Sequence, residues 1–309
     1  MREISYISSD GLTAVYAYVW EPDEGVTPRG ILQFVHGFSD HMLRYVDFAE
    51  FMARRGFVVC GHDQLGHGKT AAGRFGHIGK GGHKLLAKDV YKLTSIMKKE
   101  HKDLPLVLMG VGCGSLVARY AASLWSIEYD GAIFSGTMAG GLHINMLNRV
   151  FAAAKLQNRG QKEAAWLERI ITGNGSKAFR NSEHGPSWIT RDTEYVNACE
   201  ADSMCGFPLT YDACQSLLKL AKISNNQKWL DRIPKNLPIY LFSGLDDPMG
   251  GFGRGVIHIY SQLVSAGCAY VEIRLYEDAR HEMLFELNRD EVYEDVVKWI
   301  DETVLATNI

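Results

Sequence analysis

From residue 30 onward, short runs of β-branched and aromatic residues alternate with longer amphipathic stretches. Strands that alternate with helices in this way build a mainly parallel sheet with helices on both faces. Eight candidate strands are found: REISYI at 2, LTAVYAYVW at 12, GILQFVHG at 30, GFVVCGHD at 56, LPLVLMG at 104, GAIFSG at 131, IYLFSG at 239 and AYVEIRLY at 269. Helical patterns cover about 42–55, 83–101, 114–126, 254–267 and 290–305. The sequence therefore predicts an α/β fold around an eight-stranded sheet.

The first two candidate strands follow each other without an intervening helix. Asp10 and Gly11 lie between them, and an Asp-Gly pair is typical of a tight hairpin turn. The sheet is therefore expected to begin antiparallel and to become parallel afterwards.

The alternation stops between residues 138 and 236, where helical patterns occur without a clear strand. We expect residues 138–236 to form a helical cap inserted between strands six and seven, over the carboxyl edge of the sheet, where α/β proteins bind ligands. Residues 1–137 and 237–309 then form the core. Four apolar residues share one helical face in the cap: Leu142, Met146, Val150 and Phe151. Such a stripe either packs against the core or lines an acyl-chain groove.

Composition excludes several classes of protein. The net charge is only −3 and no basic arm is present, so we expect no nucleic-acid partner. The N-terminus lacks a signal sequence and no window reaches about 18 apolar residues, which predicts a cytoplasmic protein. The six cysteines form no C-x-x-C pair, so their spacing indicates neither a zinc site nor a disulfide framework.

The tripeptide Gly68-Lys69-Thr70 is similar to the end of a phosphate-binding P-loop. That motif requires a glycine five residues before Gly68, where this chain has Asp63. We therefore expect no nucleotide to bind here.

The stretch LMGVGCGSLVARY joins a candidate strand to a candidate helix through closely spaced glycines. A G-x-S-x-G turn in this place exposes the nucleophilic serine of a hydrolase. Here the central position, between Gly110 and Gly114, is Gly112. The turn is therefore predicted to have the backbone of a nucleophile elbow without its hydroxyl.

A His-Gly pair follows the third strand, at the start of HGFSDHMLRY. The next N–H, that of Phe38, could bind a substrate oxyanion together with the N–H of Cys113, the residue after the nucleophile position. A glycine loop that only connects a strand to a helix is the alternative.

Two further side chains complete the candidate site. Asp247 lies in GLDDPMGG after the seventh strand, and His281 lies in the loop after the eighth. A carboxylate can orient an imidazole that acts as general base. Each residue alone could also be a turn or surface residue. Their order after the elbow at Gly112 is the order of nucleophile, acid and base in α/β hydrolases.

Taken together, the chain resembles the monoacylglycerol lipase and lysophospholipase branch of the α/β-hydrolase superfamily, of the serine aminopeptidase S33 type. The resemblance extends over nearly the whole chain and rests on these stretches: HGFSDHMLRY, GHDQLGHGKT, GVGCGSLVARY, SGLDDPMGGFGRGV, RHEMLFELNRDEV and WITRD with ADSMCGFPLT. It implies an α/β-hydrolase fold with a helical cap and hydrolysis of a carboxylic ester through an acyl-enzyme.

By the same resemblance, Asp247 and His281 match the acid and the base, and Phe38 and Cys113 match the backbone oxyanion donors. The nucleophile position falls on Gly112. The resemblance implies no metal and no organic cofactor. It implies acyl esters such as monoacylglycerols or lysophospholipids as small-molecule substrates. Apart from the resemblance, the cap could make transient contact with a membrane surface.

Four explanations of Gly112 stay open at this point. A serine was deliberately replaced, or glycine is natural and the chain is a non-catalytic protein that binds lipids or acyl ligands. Alternatively Cys113 or Ser115 supplies the nucleophile, although both side chains are expected to point away from the pocket. Finally, a water activated by His281 could give slow direct hydrolysis.

Overall fold

The computed structural model describes residues 1–139, 160–164, 177–185 and 187–306. Within them, eight strands form one sheet in the order β1-β2-β4-β3-β5-β6-β7-β8. The strands are β1 Arg2–Ile7, β2 Ala14–Trp20, β3 Gly30–Val35, β4 Phe57–His62, β5 Leu106–Val111, β6 Gly131–Ser135, β7 Ile239–Gly244 and β8 Val271–Tyr276. β2 is antiparallel to both β1 and β4, and all other pairs are parallel. The predicted mainly parallel eight-stranded sheet is confirmed.

The hairpin that begins the sheet is closed by the predicted Asp-Gly pair. Gly11 has a φ of 80°, in the left-handed region that glycine adopts at no steric cost. One carboxylate oxygen of Asp10 accepts the N–H groups of Leu12 and Thr13 at 2.7 and 2.8 Å. These bonds fix the turn that sets the antiparallel register.

The helices of the described chain are α1 Val46–Arg54, α2 Gly82–Glu100, α3 Cys113–Leu124, α4 Thr193–Ala201, α5 Tyr211–Ile223, α6 Gln227–Arg232, α7 Arg254–Ser265 and α8 Arg289–Trp299. A 3₁₀ turn, Met42–Tyr45, precedes α1, and a π-helical turn, Ile300–Leu305, continues α8. The predicted helices 42–55 and 290–305 therefore each contain two kinds of helical turn.

The two faces of the sheet support separate apolar clusters. Helices α2, α3, α5, α6 and α7 pack on one face, and α1, α8 and the π turn pack on the other. Every residue of β3 is buried, since central parallel strands are covered on both sides. This arrangement leaves the carboxyl ends of β3, β5, β7 and β8 free to meet at one edge.

Where the structure describes it, the segment between β6 and β7 contains α4, α5 and α6, joined by turns and irregular stretches, and an isolated bridge between Glu163 and Thr210. Its last helices pack on the core, because Leu217, Leu220 and Trp229 belong to the same apolar cluster as α3. The division into a core and a cap at residues 138 and 236 stays a prediction. The apolar stripe from Leu142 to Phe151 lies outside the described residues.

None of the helices that the structure describes is both long enough and apolar enough to cross a lipid bilayer.

Candidate active site

The turn between β5 and α3 has Gly112 at its centre, with φ 51° and ψ −124°. The residues two positions away on each side, Gly110 and Gly114, are glycines because other parts of the chain pass very close to them. A Cβ at Gly114 would lie 2.1 Å from the carbonyl oxygen of His36, and one at Gly110 would lie 2.7 Å from the Cβ of Ala118. Packing thus requires the flanking glycines, whereas the central position is restricted mainly by its backbone conformation.

The structure brings the three predicted side-chain positions together. A Cβ built on Gly112 would lie 3.0 Å from Nε2 of His281, and no other described residue apart from chain neighbours comes within 3.4 Å. On the far side of the ring, Nδ1 of His281 lies 2.9 Å from Oδ2 of Asp247. This is ion-pair distance, although the angle departs from that of a good hydrogen bond. The imidazole therefore lies between the carboxylate and the point where a residue-112 side chain would begin.

Asp247 is held in place by its neighbours. Its side chain is fully buried, accepts the Met249 N–H at 2.8 Å and accepts the Ser243 hydroxyl at 3.2 Å. Burial by itself would lower the pKa of His281, but the nearby carboxylate of Asp247 outweighs it and raises that pKa above its ordinary value. The pair is thus arranged to stabilise an imidazolium.

The two predicted oxyanion donors both line the cavity in front of Gly112. The N–H of Phe38 lies near the thiol of Cys113. Burial raises the pKa of the Cys113 thiol to about 12, although the Phe38 N–H partly opposes this. Because the thiol stays protonated at neutral pH, Cys113 is a poor candidate for the nucleophile.

The oxyanion loop is anchored from behind by the loop after β4. The Gln64 N–H donates to Nε2 of His36 at 3.1 Å, and the Gln64 side-chain amide donates to the His36 carbonyl at 2.8 Å. Burial lowers the pKa of His36 to about 4, so the ring is neutral and can accept this bond. The position of the Phe38 N–H is therefore fixed by a buried, uncharged contact.

Sequence reasoning missed Arg44, which connects the oxyanion loop to the His281 loop. Its guanidinium pairs with Asp40 at 2.9 Å and with Glu282 at 2.8 Å, and its side chain is 7% exposed. Burial would lower the pKa of Arg44, but the two carboxylates raise it, so it stays charged. No local pattern could have revealed this network, because Glu282 lies 238 positions away.

Sequence reasoning also missed Arg280, directly before His281. Its side chain is nearly completely buried and donates to the carbonyl of Ser187 at 2.5 Å and to the hydroxyl of Ser182 at 2.7 Å. Trp188 belongs, like Ser182 and Ser187, to the segment between β6 and β7, and its ring lies 5.1 Å from the His281 ring. Arg280 thus holds part of the inter-strand segment against the face of the imidazole.

A mostly apolar cavity of about 190 Å³ opens in front of Gly112. Apolar side chains from the core and from the segment between β6 and β7 form its wall, among them Val111, Trp188, Leu209, Leu217, Met249 and Leu284. Such a cavity suits an apolar ligand with a few polar groups at one end.

Ser115 does not face this cavity. Its hydroxyl donates to the Gly112 carbonyl at 2.5 Å and contacts the Thr137 hydroxyl at 2.7 Å, and the residue is fully buried. The hydroxyl is therefore used in holding the start of α3, which removes the geometric basis for Ser115 as nucleophile.

The Gly68-Lys69-Thr70 loop is tied to a carboxylate of the protein itself. Asp63 accepts the Lys69 N–H at 2.8 Å and the Met42 N–H at 2.9 Å. A Cβ on Gly68 would lie 2.3 Å from the Asp63 carboxylate. The loop thus supports the 3₁₀ turn that follows the oxyanion loop.

Comparison with known proteins identifies the family. The profile of the serine aminopeptidase S33 family matches residues 26–288, most of the chain. The chain belongs to this S33 family. The match includes all the predicted site residues, from Phe38 to His281.

Relatives and solved structures agree with the S33 assignment. The chain is 24% identical to a monoacylglycerol lipase of Mycolicibacterium smegmatis, covering 96% of each chain, and 27% identical to the human monoglyceride lipase, covering 96% of this chain and 89% of the relative. A thermostable carboxyl esterase of Bacillus coagulans, solved with glycerol, has 29% identity over 98% of both chains and a TM-score of 0.92. The α/β-hydrolase fold is thereby confirmed.

Proposed function

We propose that this chain is a carboxylic ester hydrolase of the monoacylglycerol lipase type that retains its base, acid and oxyanion donors but lacks the nucleophilic side chain. The observation that carries the proposal is the position of His281. Its Nε2 lies 3.0 Å from where a side chain at Gly112 would start, and Asp247 lies behind it at 2.9 Å. A histidine that served only as a polar surface residue would not need to lie between Asp247 and residue 112.

With a serine at position 112, the chemistry would follow from this geometry. His281 would take the hydroxyl proton through Nε2, and Asp247 would stabilise the imidazolium that forms. The oxygen would attack the ester carbonyl, and the N–H groups of Phe38 and Cys113 would bind the oxyanion.

With Gly112, the base could activate only a water molecule, while the oxyanion donors would still bind the oxyanion that forms on the ester. Loss of a triad serine can cost about 10⁶ in kcat, while roughly 10³ to 10⁴ over water survives from the remaining groups. We therefore expect turnover that is very slow but above the uncatalysed rate.

The proposed substrates are monoacylglycerols, lysophospholipids or similar acyl esters. The apolar wall of the cavity and the names of the relatives support this class. We propose further that residues 138–236 act as a cap over the cavity, since Trp188 and Leu209 of that segment line it.

The test is the variant Gly112→Ser. We expect it to react with a fluorophosphonate probe and to hydrolyse p-nitrophenyl and monoacylglycerol esters well above wild type. Activity should fall as pH drops and His281 becomes protonated, from a pH above the ordinary histidine value because the His281 pKa is raised.

The matched control is Gly112→Ala, which adds the same Cβ without a hydroxyl and should neither react with the probe nor gain activity. Adding His281→Gln to Gly112→Ser should abolish the gain. A Gly112→Ser variant that folds but remains inert toward the probe and the esters would overturn the proposal.

A second candidate is a non-catalytic protein that binds acyl ligands, favoured by the glycine at position 112 in front of an apolar cavity. It predicts that the wild type binds a fatty acid or monoacylglycerol stoichiometrically, whereas Gly112→Ser binds equally well and stays inactive.

A further inference from the structure

A cluster of possible metal ligands lies beside the candidate active site. The side-chain ligand atoms of His41, Asp202 and Cys205 all lie within 4.8 Å of one another. Nε2 of His41 is 2.8 Å from Oδ2 of Asp202. His41 and Cys205 are buried, and the Asp202 side chain is 30% exposed, so the cluster is protected but can be reached from solvent.

A second thiol adjoins this cluster. Cys199 and Cys205 are free cysteines whose thiols lie close enough to interact electrostatically. One imidazole, one carboxylate and two thiols form a donor set that suits Zn²⁺, which binds nitrogen, oxygen and sulfur ligands in a tetrahedral arrangement. The spacing of the cysteines alone could not indicate this site, because His41 precedes Asp202 by 161 positions.

The present distances are close to those of a bound ion. Tetrahedral Zn²⁺ with bonds of about 2.0 to 2.3 Å separates its ligand atoms by about 3.4 to 3.8 Å. The His41–Asp202 separation of 2.8 Å would have to open slightly, and any pair near the 4.8 Å limit would have to close by about 1 Å. Cys199 is outside this group, so its thiol would have to move in from beyond 4.8 Å of at least one of the other three ligand atoms.

The backbone around the cluster is already held together. The Gly206 N–H donates to the Ser39 carbonyl at 2.9 Å, and the Ser39 hydroxyl donates to the Phe207 carbonyl at 2.8 Å. The ligands therefore come from two segments whose relative position is fixed before any ion binds. Preorganisation of this kind favours metal binding.

We propose that His41, Asp202 and Cys205, with Cys199 as the fourth ligand, bind one Zn²⁺ per chain. The ion would cross-link the oxyanion loop, which contains Phe38 and His41, to the end of α4 and the segment after it. Because Cys199 also lines the cavity, metal binding would fix one wall of the pocket. The proposal is independent of ester hydrolysis.

The experiment uses the full-length chain, kept reduced and freed of metal. Titration with Zn²⁺ against a chromogenic chelator should give one site per chain, and titration with Cd²⁺ should produce the ultraviolet thiolate charge-transfer band. Saturating Zn²⁺ should also raise Tm, because a ligand that binds only the folded state stabilises it.

The variants Cys205→Ser and His41→Gln should weaken Zn²⁺ binding by more than the roughly 10- to 100-fold that loss of an outer-shell partner costs. Cys268→Ser and His258→Gln, which alter the same residue types elsewhere, should bind as wild type does. Binding that survives in Cys205→Ser, or that is absent from a folded wild type with all thiols free, would overturn the proposal. Since these readouts involve no ester, they do not depend on the outcome at Gly112.

Discussion

The backbone at Gly112, with φ 51° and ψ −124°, is one that an L-amino acid adopts only at a cost of about 1 to 3 kcal/mol. In a hydrolase that strain aims the nucleophile at the substrate. Glycine adopts the same conformation without the penalty. The turn of this chain thus has the geometry of a nucleophile elbow but not its strain.

Gly112→Ala is expected to lower the free energy of unfolding by about 1 to 3 kcal/mol, because the new Cβ adds backbone strain. It also meets His281 at 3.0 Å, so the loss should shrink when His281→Ala is introduced as well. Urea unfolding measures both effects.

Gly267→Ala is the matched control, since Gly267 has a φ of 86° with nothing within 4 Å of its Cβ position. Gly267→Ala measures the cost of a positive φ when the new Cβ contacts nothing. The decrease in the free energy of unfolding that it causes should therefore be the same with and without His281→Ala. A Gly112→Ala variant as stable as wild type would contradict the strain argument.

At the scale of single elements, the loop after β8 is held by the residues on both sides of His281. Arg280 donates to the segment 182–190, and its own N–H donates to Glu286 at 2.8 Å. Glu282 pairs with Arg44 on the other side. The imidazole is therefore placed by contacts with two other parts of the chain, not by the loop alone.

Arg280→Gln should loosen the segment 182–190, because the buried guanidinium loses hydrogen bonds of a kind that contribute about 1.5 to 3 kcal/mol each. The Glu282 N–H, which donates to the Ile189 carbonyl at 2.8 Å, reports on this contact. Its hydrogen-exchange protection should fall in the variant.

Arg254→Gln serves as the control, since Arg254 is exposed and donates to the Gly251 carbonyl at 3.1 Å within its own turn. Unchanged protection of the Glu282 N–H in Arg280→Gln would show that Arg280 does not hold the segment.

At the scale of the whole molecule, three buried histidines near the ends of β3 and β4 link stability to pH. Burial lowers the pKa of His36 to about 4, and those of His62 and His67 to about 3. Each binds its proton in the unfolded chain near pH 6.5 but not in the folded one. The free energy of unfolding is therefore not reduced by these histidines above pH 6.5. It decreases as the pH falls from 6.5 toward the pKa values that they have in the folded protein.

His62→Leu should reduce this acid sensitivity, because leucine cannot take up a proton when the chain unfolds. The substitution removes no hydrogen bond, since neither ring nitrogen of His62 has a hydrogen-bond partner among the described residues. A histidine that is protonated only when unfolded costs about 1.4 kcal/mol per pH unit below 6.5. Between pH 7 and pH 5 the variant should thus lose about 2 kcal/mol less than wild type in urea unfolding.

His258→Leu, at an exposed position, should keep the wild-type dependence on pH. An identical loss in wild type and His62→Leu would exclude His62 as a source of the acid sensitivity.

The amino-acid sequence alone determined the strand count, the opening hairpin, the elbow turn and the positions that meet at the candidate site. The first three depend on local periodicity and on glycine and turn chemistry, which act over a few residues. The site positions depend on the order of motifs along the chain, which can be read directly from the sequence. Helix boundaries were predicted within a few residues, except where 3₁₀ or π turns extend a helix.

Only the tertiary structure decided how the site is held together. Arg44, Arg280 and the cluster around His41 contact partners about 90 to 240 positions away in the chain. Such contacts form because buried charged and polar groups must find partners wherever folding brings them. This requirement produces no periodic pattern in the sequence. The contacts that support the site are therefore seen only in the tertiary structure.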